Sequence, residues 1–210
     1  CSLVDPKIQL VGSVENIVIN SVHGGDSVFD FQITKNGIDI NRFKLDNENE
    51  NSKFSVNGFI PLVINLKNGI LEEDIQHERS LHFVCQNTST KLLKNVIPKV
   101  DELEGKVSGE LSAFKVEDKR FFIGKLKLID GKLAFKSNLA PITDIEGECN
   151  FTRESIEIPK ITGKMGEGAF VIRGAMNLID LSVNSIDFSI KGKKLKLIND
   201  DDLVVILSPD

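Results

Sequence analysis

The chain contains no tryptophan and no tyrosine, so its 13 phenylalanines are its only aromatic residues. Surfaces that bind sugars or stack nucleic-acid bases usually rely on Trp and Tyr, whose rings combine an apolar body with a polar group. Phenylalanine offers an apolar ring and no hydrogen bond. We therefore expect these rings to line an apolar surface or to fill a core.

Long apolar runs and an excess of positive charge are also absent. No uncharged apolar run reaches the roughly 18 residues that a membrane-spanning helix needs. The net charge of −5 argues against nucleic acid as a partner, because phosphate backbones attract basic surfaces. A chain of 210 residues with 40% hydrophobic and 27% charged residues is ordinary for a globular protein, and we expect one elongated unit.

Cysteine and histidine are too few and too scattered to predict a metal centre or a catalytic site. The cysteines Cys1, Cys85 and Cys149 lack the spacing of metal ligands. Cys85 and Cys149 fall in alternating patterns and are interpreted as small buried residues, with a disulfide between them left open. The three histidines stand in no catalytic motif. The sequence therefore predicts no enzyme, no cofactor and no metal site.

An internal repeat is the strongest positive feature of the chain. Residues 53–62, KFSVNGFIPL, and residues 169–178, AFVIRGAMNL, carry Phe, a β-branched residue, Gly and Leu in one register. The motif Ile-x-Ile precedes both, at residues 38–40 and 156–158. Repeats indicate units stacked in one direction. Apolar residues at every second position predict that these units are strands with one apolar face.

Short strands separated by polar turns are predicted along most of the chain. Lys35-Asn36-Gly37 and Asp130-Gly131 both predict hairpins. Pro61 lies inside an alternating run, where its missing N–H predicts an edge, a bulge or a bend.

One segment departs from the strand pattern. Leu92, Leu93 and Val96 have helical spacing and predict a short amphipathic helix. We expect it to pack on the apolar side of the sheet and to cap one end. The predicted organisation is a first β-repeat region at 1–89, a short helix and linker at 90–104, and a second β-repeat region at 105–210, in one continuous unit.

Residues 125–197 resemble the C-terminal repeats of the TamB and AsmA-like family of diderm bacteria. The motifs that carry the resemblance are LKLIDGKL at 126–133, PITDIEG at 141–147, ITGKMGEG at 161–168 and FVIRG at 170–174. The similarity extends over residues 90–198 and, through the internal repeat, more weakly over 28–85. It implies an all-β fold: an elongated, curled antiparallel-type sheet, called a β-taco, whose concave face is apolar.

The resemblance also implies a function. The family is associated with phospholipid traffic between the inner and outer membranes and with outer-membrane protein assembly. We therefore expect a non-enzymatic segment of a periplasmic lipid-transfer conduit that shields phospholipid acyl chains, in the cell envelope of a diderm bacterium. The alternative is a β-scaffold that binds outer-membrane protein clients by strand addition, with an outer-membrane barrel protein of the assembly-factor type as a partner.

Membrane contact is expected only at the ends of the unit or through parts outside this chain. Cys1-Ser2 suits the lipidated start of a bacterial lipoprotein, and a fragment boundary explains it equally well.

The residues expected to line the groove follow from the alternation within each strand, because residues two apart share a face. They are Phe31, Ile40, Phe54, Val56, Phe151, Ile158, Phe170, Ile172, Phe188 and Ile190. A strand with one apolar face needs a second layer or a ligand to cover it. The sequence alone prefers neither a compact sandwich nor a curled sheet with a groove.

Overall fold

A computed structural model describes residues 7–19, 22–65, 70–73, 78–93, 100–137, 139–196 and 206–207. These residues form strands joined mostly by tight turns. The strands are β1 (Ile8–Ile19), β2 (Val22–Thr34), β3 (Gly37–Asn47), β4 (Ser52–Asn65), β5 (Ile70–Glu73), β6 (Arg79–Ser89), β7 (Val100–Val116), β8 (Lys119–Phe135), β9 (Ile142–Phe151), β10 (Ser155–Met165), β11 (Gly168–Ile179), β12 (Ser182–Gly192), β13 (Leu195–Lys196) and β14 (Ile206–Leu207).

One large sheet contains nearly all of these strands. Its order is β1-β2-β3-β4-β6-β7-β8-β9-β10-β11-β12, while β5 pairs with the far end of β4 and β13 pairs with β14. Each strand is antiparallel to its neighbours. The predicted all-β class and curled antiparallel sheet are confirmed, because the chain forms one open sheet that is not closed into a barrel. Strands β1 and β12 are its two edges.

The pairing register aligns the apolar alternation of every strand. One row of side chains crosses all eleven strands of the path without a polar residue. It consists of Gly12, Phe29, Phe43, Val56, Phe83, Leu111, Gly124, Phe151, Ile156, Met176 and Ile186. Because side chains alternate between the faces of a strand, the row defines one apolar face for the whole sheet.

Bulges interrupt every ladder of this path except that between β4 and β6. A bulge inserts an extra residue and bends its strand. The predicted hairpin at Asp130-Gly131 is wrong, because both residues lie inside β8 at such a bulge. Asp130 has a φ of 52°, so the left-handed conformation that Asp-Gly favours bends the strand here instead of reversing it. The chain reverses at Glu117 and Asp118, between β7 and β8.

The internal repeat corresponds to one structural unit. Ile40 of β3 pairs with Gly58 of β4, and Ile158 of β10 pairs with Gly174 of β11. The next pairing in each ladder follows a bulge. Gly58 and Gly174 have φ values of 136° and 149°, and a Cβ on either would come 2.0 Å from a carbonyl oxygen of the next strand. Glycine is therefore required at the same point of both units.

The predicted helix is replaced, among the described residues, by a 3₁₀ turn at Thr90–Leu93. Strand β7 starts at Val100, so residues 100–104 are strand and the predicted boundary at 104/105 falls inside β7. Leu92 and Leu93 belong to the turn, and Val96 lies outside the described residues. No helical segment in the described part of the chain is long and apolar enough to span a bilayer.

Among the described residues, only β13 approaches the apolar face, where Leu195 lies against Gly192 at one end of the sheet, and no second layer covers the rest. The accessible surface of the chain is 13733 Å², whereas a compact monomer of this mass exposes about 9,700 Å². Few apolar side chains in the described ranges are buried: Leu45, Val100, Phe121, Ala140, Phe170 and Leu195. Of the two arrangements that the sequence left open, the curled sheet is the one present.

Candidate functional site

The ten predicted lining residues all lie on the apolar face. The pairings place Phe31 opposite Ile40 and Ile172 opposite Ile190, and Phe54 and Val56 lie two residues apart on the same face of β4. The pairings align the remaining members with the same face. Phe170 is buried, but Ile190 on the edge strand is 58% exposed. The structure thus brings the set together, and its contact with an acyl chain stays a prediction.

Phenylalanine rings are concentrated on this face. Phe29 and Phe31 stack with ring centroids 5.5 Å apart, and Phe31 stacks on Phe43 at 6.3 Å. Phe54 contacts Phe83 at 6.4 Å, one strand further along. The rings on the apolar face are Phe29, Phe31, Phe43, Phe54, Phe83, Phe122, Phe135, Phe151, Phe170 and Phe188. The outer face has Phe59, Phe114 and Phe121.

Cys85 and Cys149 also lie on the apolar face, in β6 and β9, and both are free thiols. Their strands are three spacings apart, about 14 Å in an uncurled sheet, whereas a disulfide needs Cα atoms within about 7 Å. The disulfide left open by the sequence is therefore not formed. Burial raises the pKa of both thiols, and a hydrogen bond with Thr88 partly offsets this effect at Cys85.

A row of basic side chains borders the apolar face where β7 ends. Arg79 of β6 pairs with Lys115 of β7, which pairs with Arg120 of β8. Their registers place all three on the apolar side, and Lys115 is only 8% exposed. We call Arg79, Lys115 and Arg120 the basic row. Sequence reasoning missed it, because the three residues are far apart in the chain and only the pairing register aligns them.

Two hairpin tips meet beside the basic row. The backbone N–H of Arg120 donates to Asp180 Oδ1 at 2.9 Å, and its guanidinium bonds both carboxylate oxygens at 3.2 Å. Strands β8 and β11 are three spacings apart, about 14 Å in a flat sheet, so this contact shows that the sheet curls. The bonds from Arg120 lower the pKa of Asp180. Beneath the contact is a cavity of about 720 Å³.

The opposite, convex face is charged. Ion pairs connect Lys53 to Asp46 at 3.6 Å and Lys125 to Glu148 at 2.6 Å. The hydrogen bond from Lys125 is the main cause of the lowered pKa of Glu148. Further pairs on or beside this face are Lys132–Glu102, Lys91–Glu104 and Lys164–Asp144. The convex face is therefore a solvated surface, and the concave face is its apolar counterpart.

The described residues contain no group of His, Cys, Asp and Glu side chains placed to hold a metal ion. His82 contacts the Ser112 hydroxyl at 2.9 Å on the convex face, and no carboxylate is hydrogen-bonded to this pair in the described part of the chain. His23 lies near one end of β2, and His77 is outside the described residues.

The strand that contains Pro61 is interior. Strand β4 pairs with β3 on one side and with β6 and then β5 on the other. Pro61 falls where the partner changes from β6 to β5, so its missing N–H marks a break in pairing there. Strand addition at this strand, one form of the alternative function, is excluded. Near the C-terminal end, Ile206–Leu207 pairs with β13, and residues 203–205 lie outside the described residues.

Comparisons of the chain with protein-family models, with curated proteins and with solved structures give no match.

Proposed function

We propose that the concave face binds the acyl chains of amphipathic lipids and shields them from water, as a non-enzymatic segment of a lipid-transfer conduit. The observation that carries the proposal is the uninterrupted apolar row across eleven strands, which no second layer covers in the described part of the chain. Continuous exposed apolar surface of this kind is rare in soluble proteins unless a ligand or partner covers it.

The composition of the face favours hydrocarbon over a polar ligand. Its rings are all phenylalanine, and its backbone N–H and C=O groups are used in the ladders between strands. A sugar or nucleotide would find few hydrogen-bonding groups along the row. An acyl chain needs only dispersion contacts and removal from water.

The basic row would orient this ligand on the face. Arg79, Lys115 and Arg120 place positive charge at one border of an otherwise apolar face. All three have partners within the chain, Arg120 through its ion pair with Asp180, so a carboxylate or phosphate headgroup would share these donors with those partners while its chain extends over the apolar row. The proposed ligand class is an anionic or zwitterionic lipid.

The cellular setting of the proposal comes from the family resemblance. TamB-like and AsmA-like segments imply a location in the periplasm of a diderm bacterium, with phospholipid moving between the inner and outer membranes. Because the chain carries no spanning helix in the described residues, membrane contact would occur at the ends of the unit or through other parts.

The test is native mass spectrometry of the purified chain, followed by titration with a fluorescent fatty acid. Co-purified phospholipid and saturable probe binding support the proposal. A chain that emerges ligand-free and fails to bind the probe above the level of an unrelated all-β control would refute it.

Strand addition is the second candidate, and the open edges of β1 and β12 are the observation that favours it. A client strand would pair with backbone at an edge and would be insensitive to residues in the middle of the apolar row. Binding of an unfolded outer-membrane protein that survives Ile172→Ser but is lost on blocking an edge would favour this function over lipid binding.

A further inference from the structure

The edge strand β12 has an unpaired outer side in the described part of the chain. It pairs with β11 alone, and the bond from Lys193 N–H to the carbonyl of Ala169 extends that ladder one residue past Gly192. On its apolar side, Ile186 and Ile190 are 57% and 58% exposed. Exposed apolar edge strands invite pairing with another strand.

The charges of β12 are arranged symmetrically about its residue Ser189. Asp187 and Lys191 flank it on the convex side, two positions away in each direction. Strand β11 places the uncharged residues Ala175 and Val171 opposite them. Elsewhere on this face, some directly paired residues carry opposite charges, as Asp46 and Lys53 do. No residue directly across from Asp187 or Lys191 in β11 carries an opposite charge, and the nearest charge of β11 on this face is Arg173, opposite Ser189.

We propose that two copies of the chain associate through antiparallel pairing of β12 with β12, centred on Ser189. In this register Asp187 of each copy lies opposite Lys191 of the other, which gives two ion pairs related by the two-fold axis. Phe188 lies opposite Ile190 of the second copy, so the apolar side chains also meet on one side.

Neighbouring registers that keep the apolar sides together are less favourable. Centring on Asp187 places two aspartates opposite each other, and centring on Lys191 places two lysines opposite each other. Centring on Phe188 leaves both charges without an opposite charge directly across. Centring on Ile190 places Asp187 opposite Lys193, one residue past the strand, but leaves Lys191 opposite Ser189. Of these registers, only the one centred on Ser189 places an opposite charge across from both Asp187 and Lys191.

The same register continues a packing pattern of the sheet. Glycines on the apolar face repeatedly lie opposite large side chains: Gly163 opposite Phe170, Gly147 opposite Ile161, and Gly174 opposite Phe188. In the proposed pairing, Ile186 lies opposite Gly192 of the second copy, where it would contact Leu195, whose side chain already borders that glycine. The two-fold axis is perpendicular to the sheet, so the apolar faces of both copies lie on the same side and join. The pairing does not depend on what those faces bind.

Charge exchange tests the pairing with the full chain. Light scattering on a size-exclusion column should show a concentration-dependent dimer of the unmodified protein. Asp187→Lys makes all four central side chains positive, and Lys191→Asp makes all four negative, so each variant should dimerise more than about tenfold more weakly. Both sites are exposed, and circular dichroism checks that each variant folds. Lys160→Asp, on the convex side of the interior strand β10, is the matched control and should remain dimeric.

Mixing the two variants is the decisive measurement. A lysine copy and an aspartate copy are complementary at both pairs, so an equimolar mixture should restore a dimer containing one of each, resolved by native mass spectrometry. The double variant Asp187→Lys/Lys191→Asp should dimerise as the unmodified chain does. A monomer at all concentrations, single variants as dimeric as the control, or a mixture that stays monomeric would each overturn the proposal. If β12 paired only with a client strand, the purified chain would be a monomer at all concentrations.

Discussion

Ile172 and Val171 are adjacent residues of β11 that point to opposite faces, and they give the sharpest test of the lipid-binding proposal. Ile172 lies in the middle of the apolar face, opposite Ile161 and Ile190, whereas Val171 lies on the convex face opposite Thr162 and Lys191. Both are β-branched, so replacement by serine removes a similar strand preference from each. We expect Ile172→Ser to weaken binding of a fluorescent fatty acid and Val171→Ser to leave it within twofold.

The magnitude follows from the area that a ligand would cover. Full burial of an isoleucine side chain is worth about 1.5 to 3 kcal/mol, and Ile172 is already mostly covered by its neighbours. An acyl chain can cover at most about the last third, which contributes about 0.5 to 1 kcal/mol. Its loss should raise the dissociation constant about two- to fivefold.

The assay is probe titration at a temperature where both variants are folded, with urea unfolding curves recorded beside it. Equal loss of probe binding in both variants would mean that the apolar face is not the binding surface. Unchanged binding in Ile172→Ser together with a lower urea midpoint would identify the face as a dry structural core.

Three further changes test other parts of the structure. Gly174→Ala should lower the free energy of unfolding, measured in urea, by about 2 to 4 kcal/mol. The residue has a φ of 149°, and the added methyl group would come 2.0 Å from a carbonyl oxygen of β12. A free energy of unfolding within about 1 kcal/mol of the unmodified chain would contradict the claim that glycine is required there. The pKa of Asp180 is lowered in the folded chain. The stabilising effect of its carboxylate is therefore fully present above the ordinary pKa of 3.8 and is lost as the pH falls through the folded pKa. Asp180→Asn should reduce the dependence of the urea midpoint on pH in that acid range, and an unchanged dependence would contradict the contact between the hairpins. Burial raises the pKa of Cys85 and Cys149. In a Cys1→Ser chain, both thiols should therefore react with a maleimide more slowly at pH 7 than a free thiol does, and their rates should rise toward higher pH. Bound fatty acid should slow both reactions further, whereas rates equal to that of a free thiol, with or without lipid, would place the cysteines outside the groove.

The apolar face could be predicted from the sequence because alternation is a local property. Each of the ten lining residues was assigned from its own strand, and the pairing register then aligned the strands. The internal repeat was equally visible, since Gly58 and Gly174 occupy equivalent positions in two similar units. Residue chemistry and spacing within ten residues were sufficient for these features.

Features that depend on neighbouring strands could not be predicted. Asp130-Gly131 has the residues of a hairpin turn, but β7 and β9 continue alongside β8, so the same left-handed conformation forms a bulge. In the described part of the predicted helix, Thr90–Leu93, a 3₁₀ turn forms instead. Three apolar residues with helical spacing cannot stabilise a helix alone, and the strand pairing of β7 begins at Val100. The basic row depends on two pairing registers, β6 with β7 and β7 with β8, so no single segment of the sequence indicates it.

The length of the apolar row leads to a prediction of stoichiometry. Eleven strands span about ten spacings of 4.8 Å, or roughly 48 Å along the curve of the sheet. One leaflet of a bilayer holds acyl chains over about 15 Å, half of the roughly 30 Å hydrocarbon core, so one chain covers only about a third of the row. The face should therefore hold more than one acyl chain, and native mass spectrometry during fatty-acid titration should resolve species with two or three bound molecules. Saturation at a single molecule would mean that only part of the row binds lipid, and the cavity between the hairpin tips at Arg120 and Asp180 would then be the first place to search for it.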